Sequence, residues 1–220
     1  MGQKVNPILF RMGNAYSWRS RWFAGKKDYS NRVLEDFKLR KYLNEKLESA
    51  GLDEVVIERS LSSIKLILRV SRPGVVIGRG GANLEEIKKG VEQILGQDKI
   101  DESNKTVRVN LKVEELTHPE LSAKLVAERL IGQLVARYPH RRAVSQAMEK
   151  VMSAGAKGVK IQLSGRIGGA EIGRCEKYFK GTVPTQTLRA AIDYYEQPAA
   201  TRSGYVGIKV WIYKGDIQES

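Results

Sequence analysis

The sequence predicts an α+β protein made of two units, and three observations carry that prediction. At 220 residues and 41% hydrophobic content, the chain is long enough to form two small cores. Stripes at helical spacing and runs of period two succeed one another without the regular strand-helix-strand order of a parallel sheet. Near "EELTHP" an alternating run gives way to a fresh helix start, which puts a boundary at about residue 116. The predicted division is a basic arm at 1–29, a first unit at 30–115, a second at 116–215 and a tail at 216–220.

Charge and rare residues narrow the function. Lys and Arg total 38 against 25 Asp and Glu, a formal net charge of +13, which points to a polyanionic partner or an anionic surface. No apolar run reaches the roughly 18 residues that cross a bilayer. Pro7 and its polar neighbours interrupt any signal-like core, and Asn6 stands where a myristoylation motif wants Ser or Thr. A cytoplasmic protein with no membrane partner is therefore expected. Cys175 is the only cysteine and His118 and His140 are the only histidines, so no internal disulfide and no Cys/His zinc site can form. Adjacent carboxylates such as Glu85 with Glu86, or Glu114 with Glu115, read as solvated faces. No metal, cofactor or enzymatic activity is expected.

The arm sets Lys4, Arg11, Arg19, Arg21, Lys26 and Lys27 against the single acid Asp28, interleaved with Tyr16, Trp18, Trp22 and Phe23. Such a segment can follow a phosphate backbone and stack on unpaired bases; the alternative is a tail pinned by its tryptophans to its own domain. Lys4, Asn6, Arg11, Arg19 and Arg21 are its candidate RNA contacts.

From Ser30 the pattern is helical, with Leu39, Leu43 and Leu47 four apart, Val33 and Phe37 nearby, and Gly51 as the stop. "DEVVIERS" and "SIKLILRVS" follow as strands, and Ile64, Leu66, Leu68 and Val70 share one face of the second. Pro73 and Gly74 end it. A short apolar turn leads into "GRGG", and a second helix places Leu84, Ile87, Val91, Ile94 and Leu95 on one stripe before Gly96. "KTVRVNLKVEE" closes the unit with alternating Val107, Val109, Leu111 and Val113. Two helices can then cover one face of a three-stranded sheet.

In the second unit Thr117 and Glu120 have capping-box spacing, and Pro119 suits a first helical turn. Leu121, Leu125, Val126, Leu130 and Leu134 face inward on the first helix; Val144, Met148 and Val151 or Met152 do so on the second, which stops at Gly155 or Gly158. Three strands are expected in "GVKIQLSGR", "TQTLRAAIDYY" and "GYVGIKVWIYK", forming an antiparallel layer under the helix pair.

The glycine loop decides between ligand classes. No window fits a Walker phosphate loop, and the dinucleotide pattern starting at Gly78 and Gly80 meets Asn83 where its third glycine belongs. What remains is G-x-x-G, Gly78, Arg79, Gly80 and Gly81, between a short helical turn and a longer helix. Bare glycines let the backbone approach a sugar-phosphate strand while Arg79 adds charge. This loop resembles the clamp of a KH domain, and the order of elements resembles the type II, prokaryotic arrangement of that fold. Arg72, Gly78, Arg79, Gly80 and Gly81 are the RNA contacts that the resemblance implies.

"MGQKVNP", "RMG", "RPGVVIGRGG", "PELSAKLVAE", "GAKGVKIQLSGRIGGAEI" and "GIKVWIYKG", in that order and across nearly the whole chain, together resemble the bacterial form of the universal small-subunit ribosomal protein number three. The resemblance implies a structural protein of the subunit head, built of a KH domain and a C-terminal α+β domain. Its implied partners are ribosomal RNA, messenger RNA at the entrance channel and neighbouring head proteins, not a second copy of itself. The family's functional arginine pair matches Arg141 and Arg142, with Arg137 beside them; a further basic position of the family is Ser145 here. The stretch "LGQDKIDESNK" is longer than the family leads one to expect and reads as a polar surface loop. Lys157, Lys160, Arg166 and Arg174 are the candidate RNA contacts of the C-terminal domain, within a run from Arg137 to Lys180 that holds few acids. "SGRIGGAEIGR" suits threading against RNA or a simple hairpin connection. A free KH regulator of transcripts is the competing reading.

Overall fold

The computed structural model describes residues 4–60, 63–95 and 108–217. In chain order its elements are α1 (Pro7–Phe10), β1 (Ser20–Arg21), α2 (Tyr29–Lys46), β2 (Leu52–Arg59), β3 (Ser63–Val70), α3 (Pro73–Ile77), α4 (Ala82–Ile94), β4 (Arg108–Glu115), α5 (Ala123–Val135), α6 (His140–Ser153), β5 (Gly158–Gly165), β6 (Arg174–Gly181), β7 (Ala190–Thr201) and β8 (Gly204–Asp216). They divide into two compact units: residues up to Ser17 together with His118–Ser220, and Trp18–Thr117. The arm expected at 1–29 is therefore shared between the units. The loop expected at 96–105, together with Val107, lies outside the described residues.

In the Trp18–Thr117 unit the sheet order is β1-β2-β3-β4. β2 and β3 pair antiparallel, and β4 adds parallel to β3. Leu39, Leu43 and Leu47 of α2 and Ile87 and Val91 of α4 pack with Ile57, Leu66, Leu68 and Val109. Each fully buried leucine contributes about 1.5–3 kcal/mol of burial. Gly51, at φ +68, ends the α2 segment as its text predicts.

Val33 and Phe37, near the leucine stripe in sequence, are exposed, and the buried residue of that stretch is Asp36. Its carboxylate accepts from Ser20 Oγ at 3.1 Å, Trp22 Nε1 at 2.8 Å and Arg59 Nε at 3.0 Å. These bonds hold the second half of the arm down, so that Ser20 and Arg21 form a fourth strand, parallel to β2.

In the other unit four antiparallel strands run in the order β6-β5-β8-β7, and α5 and α6 cover one face. Val126, Leu130, Val144 and Val151 meet Val159, Ile161, Leu163 and the even-numbered residues Val206–Ile212. Three strands were expected; "RCEKYFKG" is the fourth, an edge strand whose residues are mostly exposed and lack apolar alternation. It makes "SGRIGGAEIGR" the connection between two antiparallel neighbours. The helix cap also differs: Ser122, not Thr117, accepts from the Leu125 N–H, and Glu120 instead holds Arg129 at 2.7 Å.

The opposite face of this sheet has its own apolar cluster, Ala190, Ile192, Tyr194, Trp211 and Tyr213, against which Ile8 packs. α1 is set by Asn6, whose side chain caps the Ile8 N–H at 2.9 Å, and by Pro7 at its first position. Arg11, expected to contact RNA, is fully buried. Its guanidinium donates to the carbonyls of Pro7, Thr185 and Thr187 at 2.9, 3.0 and 2.8 Å, so its charge ties α1 to the segment ahead of β7. Burial lowers its pKa, since desolvation disfavours the charged form.

Candidate nucleic-acid interface

The glycine loop is built as its text demands. α3 ends at Gly78, with φ +71 and ψ −176, a conformation essentially reserved for glycine. Gly80 and Gly81 follow at φ +62 and +85, and Gly81 leads straight into α4. A Cβ at Gly78 would lie 2.8 Å from Asn83 Cγ, whereas Gly80 and Gly81 face open space. Asn83 Nδ2 donates to the Val75 carbonyl at 3.0 Å and braces the loop from inside. Arg72 and Arg79 are exposed, as are Lys88 and Lys89 on α4. The arrangement offers a bare backbone and the amide end of a thirteen-residue helix to an anionic strand.

The arm residues on this unit behave differently. Arg19 pairs with Glu54 at 2.9 Å and Arg21 with Glu58 at 3.2 Å. The same sheet face carries Arg69 between Glu54 and Glu114, and Lys65 on Glu58. Cross-strand charges thus neutralise one another across this face. Arg19 and Arg21 brace the sheet more than they advertise charge.

In the C-terminal unit Arg141 and Arg142 stand exposed in the first turn of α6, with Arg137 exposed in the connection before it. Lys157 is exposed between α6 and β5. Lys160 lies on the sheet face opposite the helices, its Nζ 4.8 Å from the Trp211 ring centroid and 5.2 Å from that of Phe179. Lys4 Nζ sits 5.0 Å from the same indole. Desolvation first, then the nearby charges of Lys4 and Lys177, lower the Lys160 pKa. Two cations drawn to one ring with no acid between them suit an anion. Arg166 is exposed but bound through its Nε to the Ala170 carbonyl at 2.8 Å.

Arg174 is committed to Glu176, at 2.5 Å. The hydroxyl of Tyr178 also donates to that carboxylate, and His140 Nε2 lies 3.2 Å away. The Tyr178 and Arg174 bonds, with His140 assisting, hold the Glu176 carboxyl down at about 2. His140 is the first residue of α6.

Sequence reasoning missed the aromatic partners Trp211 and Phe179 and missed Arg202, which stands exposed in the β7–β8 turn. The signal for Trp211 was present in the alternation of β8, which puts odd-numbered positions opposite Val210 and Ile212. Among the described residues no set of His, Cys, Asp and Glu could hold a metal ion, and no helix is long and apolar enough to cross a membrane.

Comparison with known proteins meets this geometry at both units. Residues 38–121 match the family described as KH domain, and residues 130–212 match that described as ribosomal protein S3, C-terminal domain. The small ribosomal subunit protein uS3 of Caldicellulosiruptor bescii is 46% identical over 99% of this chain and 94% of its own length. The same-named protein of Persephonella marina is 47% identical over 98% of this chain and 91% of its own, and that of Shouchella clausii 42% over 99% and 94%. Identity at this level over nearly the whole chain leaves one conclusion: the chain belongs to the uS3 family of small ribosomal subunit proteins.

Proposed function

We propose that the chain is a non-enzymatic structural constituent of the small ribosomal subunit in the cytoplasm, binding ribosomal RNA in the subunit head and helping to form the channel by which messenger RNA enters. The observation that carries this reading is an outward-facing glycine loop and an exposed arginine pair in one chain of the uS3 family. In this reading Gly78–Gly81 with Arg72 and Arg79 clamp a sugar-phosphate strand, while Arg137, Arg141 and Arg142 help open messenger helices. Lys4, Lys157 and Lys160 hold phosphates, and neighbouring head proteins complete the surroundings.

Sucrose-gradient sedimentation of a gentle lysate, followed with an antibody to the chain, tests the assignment. Stoichiometric migration with small subunits is expected at low and moderate salt. A peak confined to the free fractions would overturn it in favour of a standalone RNA reader. If six to ten phosphates are neutralised, affinity of the free chain for ribosomal RNA should fall about 10³- to 10⁵-fold between roughly 50 and 200 mM salt. The entrance role has its own test: Arg141→Ala with Arg142→Ala should slow translation through a stable hairpin and spare unstructured messages. Equal slowing of both would remove that role.

A further inference from the structure

Three connections meet at one end of the C-terminal layer: that between α5 and α6, that between β5 and β6, and that between β7 and β8. They enclose a cavity of about 420 Å³. Each connection brings one arginine to its wall, Arg137, Arg166 and Arg202, and no aspartate or glutamate lines it. The floor is apolar, since Ile167 and Val206 are 2% and 3% exposed and belong to the main core of the unit. Cations above an apolar floor, in a space far larger than one phosphate needs, fit a ligand with an anionic end and a flat uncharged end.

The walls are held in place before any ligand arrives. Arg166 Nη1 donates to the Ser203 carbonyl at 3.2 Å, which ties the β5–β6 turn to the β7–β8 turn. Thr201 Oγ1 donates to the Gly204 carbonyl at 2.6 Å and closes the latter turn. Arg137 has φ +59, the only non-glycine residue with positive φ among the described residues, and its own and the next N–H are bonded to Leu134 and Gln133 carbonyls. These two bonds form a Schellman cap on α5, and the left-handed residue that ends the helix sets the direction in which the Arg137 side chain leaves it. Gly168 and Gly169, at φ +67 and +82, repeat the Gly80 and Gly81 conformation almost angle for angle, with ψ 16 at both Gly80 and Gly168. The turn closes on itself, the Gly169 N–H donating to the Arg166 carbonyl at 3.2 Å, and so holds the start of the connection that carries Arg166.

We propose that this cavity binds one nucleotide of unpaired RNA, with its phosphate held by Arg137, Arg166 and Arg202 and its base lying against Tyr138, which lines the cavity and is 44% exposed. The inference deepens the RNA-binding reading of this unit and rests on it, adding a defined subsite and a stated ligand. The arginine rim supplies charge and the Tyr138 ring supplies a stacking surface, so both halves of a nucleotide are needed for tight seating.

The test is an NMR titration of the full chain with adenosine monophosphate, adenosine and inorganic phosphate in turn. The monophosphate should shift the amides of Ile167–Gly169 and Ser203 and bind at least tenfold more tightly than either fragment. Arg202→Ala removes one charge from the rim, and Arg137→Gly removes another while suiting the φ of +59; each should weaken the monophosphate about tenfold. No shift at these amides, equal affinity for phosphate alone, equal affinity for adenosine alone, or full affinity in both variants would each overturn the proposal. Sedimentation with small subunits is read independently of this cavity, so the two readings fail separately.

Discussion

The guanidinium of Arg11 donates to the carbonyl of Thr187 at 2.8 Å, across 176 residues of sequence. With the bonds to Pro7, Pro184 and Thr185, it leaves four carbonyls dependent on one buried cation. Arg11→Ala should destabilise the C-terminal unit by about 3 kcal/mol, as expected when charge-assisted hydrogen bonds are lost and buried acceptors are left unmade. Urea unfolding followed by near-ultraviolet circular dichroism measures it. An unchanged midpoint with weakened RNA binding would return Arg11 to the interface.

Asp36 has the matching role in the KH unit. Arg59 has only 7% of its side chain exposed and faces Asp36 and Glu35, so Asp36→Ala leaves a buried cation short of its main partner. Breaking a buried pair from one side costs about 3–5 kcal/mol. The expected outcome is a lower thermal midpoint for the KH unit together with faster proteolysis between Trp18 and Tyr29, the stretch whose Ser20 and Trp22 bonds are lost.

Acid should weaken the α6–β6 neighbourhood through Glu176. Its carboxyl titrates at about 2 when folded against an ordinary 4.5, so its contribution is complete above about pH 4.5 and is lost as the pH falls toward 2. Glu176→Gln should lower stability at pH 7, where the contribution is complete, and flatten the acid limb in that window, so that the two proteins converge toward pH 2. A wild-type and variant with parallel acid limbs would show that other carboxylates set it.

The glycines of the loop should not tolerate substitution equally. Gly80→Ala enters open space and carries only the left-handed backbone cost, roughly 1–2 kcal/mol. Gly78→Ala adds a collision with Asn83 to a backbone angle that alanine avoids, so it should disturb α3 and α4 as well. Amide hydrogen exchange along Val75–Ile87 reads the difference. Arg79→Ala should leave that exchange pattern intact while weakening binding to single-stranded RNA.

Elements whose function is to bury one face were legible in the text. β3, with Ile64, Leu66, Leu68 and Val70 inward, and β8, with Val206, Ile208, Val210 and Ile212, carry their period openly because one side meets helices. β6 was not legible, since an edge strand with nearly every residue exposed has no apolar rhythm and is defined only by its hydrogen-bonded neighbour β5. The cap of α5 was misplaced because a three-residue helical turn at Pro119–Leu121 intervenes, which moves the start from Thr117 to Ser122. For the candidate site, the glycine loop announced itself by composition. Arg11, Arg19 and Arg21 looked free only because their partners, Thr187, Glu54 and Glu58, are remote in sequence.

The allotment of residues up to Ser17 to the C-terminal unit sets an order of events during synthesis. The segment up to Ser17 must wait, since Thr185, Thr187 and the Ile192 carbonyl that accepts from Tyr16 are translated more than 170 residues after their partners. The stretch from Trp18 to Thr117 has its own hydrophobic core and is free to fold as it emerges. The nascent chain therefore carries a folded middle with a loose basic leader for as long as translation of the remaining hundred or so residues takes, about 5–20 s at about 5–20 residues per second. During that interval Pro7 and Arg11, buried in the finished protein, are exposed to chaperones and to RNA.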